Sequence, residues 1–219
     1  MNNKTTYSID YILNAAEQGD VSAQYDLALS FLHGAGVEED KKEGEKWLRK
    51  AAEQGYAAAQ CELGLYLLFD TDDSINDKEG FRWLKKAAEQ GDANAQFELG
   101  LCFFGDWCVA NDNQEAVKWL KKADENGHPD AAFELAKHFS EGTSAQDKEE
   151  AVKWLKKLAK RGDPDAQIDL GERLLKGEGV KQNREKAIQW LTKAAKLRKK
   201  EAWNVLERYY KPGMKIKEE

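Results

Sequence analysis

The sequence predicts an all-α fold: a right-handed superhelical solenoid of five helix-loop-helix repeats with a half-repeat at each end. Three features lead to this prediction. A Trp-Leu pair recurs at spacings of 35 or 36 residues, an apolar stripe precedes each pair, and a glycine follows each of the first four pairs. The five tryptophans are Trp47, Trp83, Trp119, Trp154 and Trp190.

The first predicted element is a lone helix at residues 7–20. It has Tyr11 and Ile12 at the positions where the repeats have Trp-Leu. We therefore expect this helix to cover the open face of the first repeat, as the terminal elements of repeat arrays do.

Each repeat begins with a helix A, in which Ala-Gln, Leu-Gly or Leu-Ala, and a terminal apolar pair follow the 3.6-residue period. The five predicted repeats are residues 21–56, 57–92, 93–128, 129–163 and 164–199.

Helix B carries the Trp-Leu pair, and an apolar pair follows the tryptophan at four and five positions. A small residue stands three positions before each tryptophan, so we expect the indole to fit the groove that this residue leaves open. The small residues are Gly44, Gly80, Ala116, Ala151 and Ala187.

The junctions between repeats have the residues that end one helix and begin another. The glycines expected in a left-handed conformation are Gly19, Gly55, Gly91, Gly127 and Gly162. The expected N-caps are Asp20, Asp92 and Asp163, and Pro129 and Pro164 are expected in the first turn of their helices.

The C-terminal end of the array is predicted to have a half-repeat, as the N-terminal end does. Residues 200–210 read as a lone helix A, and residues 211–219 follow as a tail. The whole chain, residues 1–219, is predicted to be one domain.

These offsets resemble the Sel-1-like repeat, a relative of the tetratricopeptide repeat, over residues 7–210. The residues that carry the resemblance are Ala-x-Ala-Gln-x-x-Leu-Gly, Gly-x-Gly-Val and Ala-x-x-Trp-Leu-x-x-Ala-Ala-x-x-Gly. The Gly-x-Gly-Val loop is present in the first repeat (34–37) and the fifth (177–180). A secreted branch of the family has a cysteine pair in every repeat and is linked to β-lactam binding. Cys61, Cys102 and Cys108 do not follow that pattern, so this activity is not expected.

Composition limits the classes of function. The chain has 219 residues and a net charge of −6, which disfavours a general nucleic-acid binder. No apolar run is long enough for a membrane span, and no secretory signal is visible. Three cysteines are too few for a disulfide framework, so we expect a cytoplasmic protein. We also expect it to be a monomer.

The sequence contains no recognisable catalytic or metal-binding constellation. His33, His128 and His138 occupy different positions of the repeat, and the glycine-rich loops lack the context of a phosphate site. We therefore expect no enzyme, no metal and no cofactor.

A partner-binding groove is expected along the A helices, which the family resemblance places on the concave face. The residue before each Leu-Gly or Leu-Ala pair is acidic: Asp26, Glu62, Glu98, Glu134 and Asp169. Helical spacing puts Leu29, Leu65, Leu101 and Phe69 beside them. We interpret this series as a site for a basic, partly apolar protein. The alternative is that the carboxylates are solvated or pair with cations of the next helix.

A second candidate is the loop at residues 102–109, where Trp107 lies among aromatic residues and is either an interface anchor or a plug for the core. The basic pairs after each Trp-Leu are interpreted as a solvated face. The predicted function is a protein-binding scaffold or adaptor. The alternative is an immunity or inhibitor protein that neutralises a toxin or enzyme by stoichiometric binding.

Overall fold

The structure is a computed structural model that describes residues 9–69, 74–105, 109–197 and 200–209. Twelve α-helices and no strand lie within these residues. The chain divides into two compact units at the junction of His128 and Pro129. The arrangement of residues 1–219 as one domain stays a prediction.

In the first unit, each helix packs against the next one along the chain. These helices are α1 (Ile9–Glu17), α2 (Val21–His33), α3 (Lys41–Glu53), α4 (Ala57–Phe69), α5 (Ser74–Glu89), α6 (Ala93–Phe104) and α7 (Asn113–Glu125).

The second unit is built in the same way, and its last helix contacts both preceding helices. Its helices are α8 (Ala131–Glu141), α9 (Ala145–Arg161), α10 (Pro164–Lys176), α11 (Arg184–Lys196) and α12 (Lys200–Tyr209). The predicted all-α class with five helix-loop-helix repeats is confirmed.

The predicted junction chemistry is present. All five junction glycines have φ between 89° and 97°, a conformation that costs a residue with a Cβ atom more than it costs glycine. Asp20, Asp92 and Asp163 each accept a hydrogen bond from the backbone N–H three residues later, at 2.8, 2.8 and 2.6 Å. These contacts satisfy N–H groups that the first turn of a helix leaves without partners.

The prediction for Pro129 is wrong, whereas Pro164 is the first residue of α10 as predicted. Helix α8 begins at Ala131, after Asp130, whose side chain makes no capping hydrogen bond. The physical reason is the residue before the proline. Asp163 precedes Pro164 and caps the helix, but His128 precedes Pro129 and stacks on Phe97, with ring centroids 4.0 Å apart.

A second set of caps begins the B helices. Asp40 and Asp112 each accept two backbone N–H bonds, and Asn183 accepts one. In the fourth repeat, whose A–B loop is shorter, Ser144 and Asp147 form a reciprocal capping box. Helix B therefore begins at a polar capping side chain in the first, third, fourth and fifth repeats.

The leucine after the tryptophan, rather than the indole, is the side chain that requires the small residues of helix A. A Cβ atom added to Gly64, Gly100 or Gly171 lies 2.7, 2.7 or 2.6 Å from Cγ of the leucine in the partner helix. Those leucines are Leu84, Leu120 and Leu191, and all are almost fully buried. Gly44 and Gly80, two of the small residues predicted to receive the indole, also have helix A as their nearest neighbour: an added Cβ atom lies 2.8 Å from Leu32 Cγ and 2.7 Å from Gly64 O, respectively.

In the first three repeats, a ladder of side-chain amides links helix A to the helices on either side of it. In the first repeat, Gln24 Nε2 donates to Ala16 O at 3.1 Å, and Gln24 Oε1 accepts from Gln54 Nε2 at 2.7 Å. The pairs Gln60–Gln90 and Gln96–Asn126 repeat this arrangement at 2.7 and 2.9 Å. A buried glutamine is stable here because both ends of its amide are paired.

The ladder is incomplete in the fifth repeat. Gln167 Nε2 donates to Ala159 O at 3.1 Å, but within the described chain Gln167 Oε1 is buried without a donor. The residue thirty positions later, where the first three repeats have an amide, is Leu197, which is 55% exposed.

Replacing Leu197 with glutamine is expected to raise the free energy of unfolding by about 1 kcal/mol, because the new amide can donate to Gln167 Oε1. Urea denaturation followed by circular dichroism measures the change. Leu197→Ala is the matched control: it removes the exposed leucine without adding a donor. An equal gain in both variants would contradict the hydrogen-bond explanation.

Candidate partner-binding site

A cavity of about 270 Å³ in the first unit gathers three of the residues predicted to bind a partner. Glu62, Leu65 and Phe69 lie on successive turns of α4 and line one wall. The end of α2 supplies Leu32 and His33. The remaining lining residues are Glu39, Lys41 and Tyr66.

Phe69 is the most exposed apolar group of the cavity. It is the last residue of α4 and is 60% exposed, whereas Leu65, one turn earlier, is half-buried and packs against the core. The cavity therefore has an apolar side that is already anchored in the fold and an aromatic edge that faces solvent.

The cavity also brings charges together around this apolar side. Glu39 and Glu62 supply two carboxylates and Lys41 one ammonium group. The charge of Glu62 contributes, after burial, to raising the pKa of Tyr25 on α2 to about 12. Glu62 thus acts electrostatically on the neighbouring helix A as well as on the cavity.

Two other predicted carboxylates of this unit lie outside the cavity lining. Burial raises the pKa of Glu98, which is half-buried on α6. Partial desolvation, and then the Asp20 carboxylate, raise the pKa of Asp26 on α2. Neither shift has another member of the acidic series among its causes.

The leucines beside these carboxylates are less exposed than the sequence suggests. Leu29, Leu65 and Leu101 are all half-buried. Only part of each of these side chains is therefore accessible to a partner.

In the second unit the corresponding acids have different surroundings. Asp169 accepts a hydrogen bond from Arg173 Nε at 2.9 Å, one helical turn away. Glu134 is half-buried on α8, next to Phe133, which is 52% exposed. The alternative of pairing with a cation therefore applies to Asp169, although the cation belongs to the same helix.

The predicted anchor Trp107 lies outside the described residues, as does Cys108. The described flank of this loop contains Phe103, whose ring meets that of Phe81 edge to face at 5.7 Å. Phe103 is thus part of the packing between α5 and α6.

The basic face of the B helices is more specific than a solvated surface. One lysine of each basic pair, or Lys193 in the last repeat, lies over the tryptophan three residues before it, a contact that stabilises both groups. The distances from Nζ to the ring centroid are 3.6 Å for Lys50, 4.0 Å for Lys86, 4.0 Å for Lys122, 5.7 Å for Lys157 and 4.4 Å for Lys193.

The described residues contain no group of three or more His, Cys, Asp or Glu side chains arranged to hold a metal ion. Burial raises the pKa of the Cys61 thiol, which makes it a poor nucleophile. Among the described helices, none is both long and apolar enough to cross a membrane. The arrangement around α2 and α4 is an apolar pocket with a charged rim.

Comparison with solved structures places this architecture among known proteins. A protective antigen of uropathogenic Escherichia coli with an SLR fold is 30% identical and has a TM-score of 0.71. The match covers 92% of this chain and 44% of the antigen, so the chain spans less than half the length of that relative. A Sel1 repeat protein from Oxalobacter formigenes is 29% identical with a TM-score of 0.74, and the match covers 90% of this chain and 82% of that one.

A more distant match shows the fold alone. An immunity protein from Pseudomonas aeruginosa is 18% identical with a TM-score of 0.50, over 91% of this chain and 72% of that one. No curated protein is a significant match.

The sequence profile of the Sel1 repeat matches residues 21–56, 57–92, 93–128, 129–163 and 164–198. These matches cover most of the 219 residues and carry the helix pairs described above. The chain therefore belongs to the Sel1 repeat family.

Proposed function

We propose that this protein is a scaffold or adaptor that holds a partner protein in the cavity between α2 and α4. Sel1 repeat proteins generally mediate protein–protein interaction. The observation that carries the proposal is the convergence of Glu62, Leu65 and Phe69 on one cavity.

The size of the cavity favours a side chain over a free small molecule. Ligand pockets commonly measure about 300–1,000 Å³, and this cavity, at about 270 Å³, lies just below that range. Protein interfaces concentrate their binding energy in a few apolar or aromatic side chains that fill such pockets. The proposed partner therefore places one apolar residue against Leu65 and Phe69.

The rim selects the neighbours of that residue. Two carboxylates and one ammonium group leave a negative balance, which favours a lysine or arginine beside the apolar anchor. Asp26 and Glu98, whose pKa values are raised by desolvation, gain from a cation that stabilises the charged form. Leu29 on α2 and Leu101 on α6 extend the proposed surface beside Asp26 and Glu98. In the second unit, Glu134 and Asp169 occupy the repeat position of these carboxylates.

Two further attributes belong to the same proposal. The protein acts as a monomer in the cytoplasm, where the buried thiols of Cys61 and Cys102 stay reduced. The activity of the captured protein, measured with and without this chain, distinguishes the two forms of the proposal. A loss of that activity indicates stoichiometric inhibition, and an unchanged activity indicates scaffolding.

Phe69→Ser is expected to reduce capture of the partner at least tenfold, because it removes the aromatic edge of the cavity. The measurement is affinity capture from the source cell with purified wild-type and variant protein, quantified by mass spectrometry. Phe133→Ser is the matched control, since Phe133 is a similarly exposed phenylalanine, 52% against 60%, on a helix A of the other unit.

The proposal requires that the partner be retained by wild-type protein and by Phe133→Ser and be lost with Phe69→Ser. A photoreactive residue at position 69, but not at 133, should form a covalent link to the same partner. Equal capture by all three proteins would show that the cavity is not the binding site.

A further inference from the structure

A second cavity, of about 500 Å³, lies in the first unit where α1, α2 and α3 meet. Leu13 of α1, Phe31 of α2 and Trp47 of α3 give it an apolar lining, and Glu43 of α3 supplies a carboxylate. This groove involves other residues than the partner cavity at α4, so it can be tested independently of the proposed function.

One repeat later, at the corresponding position between α3 and α5, which we call the second groove, the chain supplies a side chain of its own. A shift of 36 residues places Arg49 at the position of Leu13, and Glu79 at that of Glu43. Arg49 Nη1 and Nη2 donate to the two carboxylate oxygens of Glu79 at 2.5 and 3.3 Å, and Arg49 Nε donates to Glu45 at 2.8 Å.

The arginine is well held in that second groove. Glu79 also accepts a hydrogen bond from Trp83 Nε1 at 3.1 Å. The Arg49 guanidinium and this indole together lower the pKa of Glu79, with the arginine as the larger cause. Bidentate pairing of this kind is among the strongest of charge-assisted contacts.

The two lysines that line the first groove, Lys46 and Lys50, do not prevent a further cationic side chain from binding there. Lys46 Nζ is held by Glu43 at 2.9 and 3.0 Å, and Lys50 Nζ lies 3.6 Å from the ring centroid of Trp47. The second groove has Arg82 and Lys86 at these positions and still accommodates Arg49. The first groove thus keeps the acceptor and the aromatic wall of the second but has a leucine in place of the arginine.

We infer that the groove between α1 and α3 binds an arginine side chain of a partner protein, with its guanidinium on Glu43 and its aliphatic stem against Leu13 and Trp47. This contact between two molecules has the same form as the ion pair between Arg49 and Glu79 within the chain. The weak surface pair of Lys46 and Glu43 yields to it, because an exposed lysine–glutamate pair contributes little and a bidentate guanidinium contributes more.

The probe for this inference is acetyl-arginine-amide, titrated into ¹⁵N-labelled full-length protein while the indole N–H signal of Trp47 is followed. A saturable shift is expected with a Kd on the order of millimolar, as befits a single side chain. Acetyl-lysine-amide is expected to bind several-fold more weakly, because an ammonium group cannot pair in bidentate fashion. Equal binding of the two compounds would overturn the inference.

Two variants at matched positions complete the test. Leu13→Arg supplies the arginine from the chain itself and should abolish the Trp47 response. Arg49→Leu removes the arginine of the second repeat and should create a new response at Trp83. The inference fails if Leu13→Arg binds the probe like wild type, or if Arg49→Leu shows no response at Trp83 while its circular dichroism is unchanged.

Glu43→Gln, which keeps the shape of the side chain, should also weaken binding at Trp47 at least fivefold.

Discussion

Alanine in place of Gly64 is expected to lower the free energy of unfolding by about 1–3 kcal/mol, although alanine is the better helix former by about 1 kcal/mol. The added Cβ atom lies 2.7 Å from Leu84 Cγ, 2.9 Å from Gly80 O and 3.0 Å from Leu84 N. Two of these three atoms belong to the backbone, which cannot move aside as a side chain can. Chemical denaturation followed by circular dichroism measures the loss.

Gly171 provides the matched comparison because it meets a side chain only. A Cβ atom there lies 2.6, 2.9 and 3.3 Å from three carbon atoms of Leu191. Gly171→Ala should therefore be relieved by Leu191→Ala, with a coupling free energy of about 1–2 kcal/mol in the double-mutant cycle. The cycle of Gly64→Ala with Leu84→Ala should show less coupling, since the contact with Gly80 O remains.

The reverse substitution is the control for helix propensity. Ala28 occupies the position of Gly64 in the first repeat and is fully buried. Ala28→Gly should cost about 1 kcal/mol, which is the propensity difference alone or slightly more. If Gly64→Ala stabilised the protein, the close approach of α4 and α5 described here would be incorrect.

The sequence predicts the repeats and their punctuation because these depend on local rules. A glycine with positive φ and an aspartate at the N-cap act within a few residues, so Gly19 and Asp20 can be read without knowing the fold. Pro129 shows that proline alone does not place a helix start: His128 precedes it where Asp163 precedes Pro164, and α8 begins two residues after Pro129.

Contacts between helices are harder to predict from one sequence. The Ala-Gln motif indicates a stripe, but its function depends on a second amide thirty residues later. The lysine over each tryptophan follows it at helical spacing, but the many lysines of the B helices make solvation the simpler interpretation from the sequence alone.

The candidate site is predictable only in part for the same reason. Helical spacing correctly joins Glu62, Leu65 and Phe69, because they lie on one helix. It does not indicate that His33 and Lys41, from α2 and the start of α3, close the cavity. The groove beside Trp47 becomes visible only when the first repeat is compared with the second in three dimensions.

Gln96→Leu is expected to lower the free energy of unfolding by about 1–3 kcal/mol, and Gln167→Leu by at least about 1 kcal/mol less. Both glutamines are buried, and each donates to an alanine carbonyl of the preceding helix. They differ at Oε1, which accepts from Asn126 in one case and is without a donor among the described residues in the other.

Loss of Gln96 therefore leaves the amide of Asn126 without its acceptor, whereas loss of Gln167 removes a buried oxygen that already lacks a donor. The alanine carbonyls are not the source of the difference. Each also accepts the N–H of its junction glycine, at 3.1 Å for Ala88 and 3.2 Å for Ala159. Urea denaturation of the two variants beside wild type measures both changes.

The unpaired oxygen can be tested directly by combining Gln167→Leu with Leu197→Gln. The stabilisation expected from Leu197→Gln in the wild-type background should disappear when Gln167 is leucine, because the new amide then has no acceptor. If the stabilisation persisted unchanged, Leu197→Gln would act through some other contact.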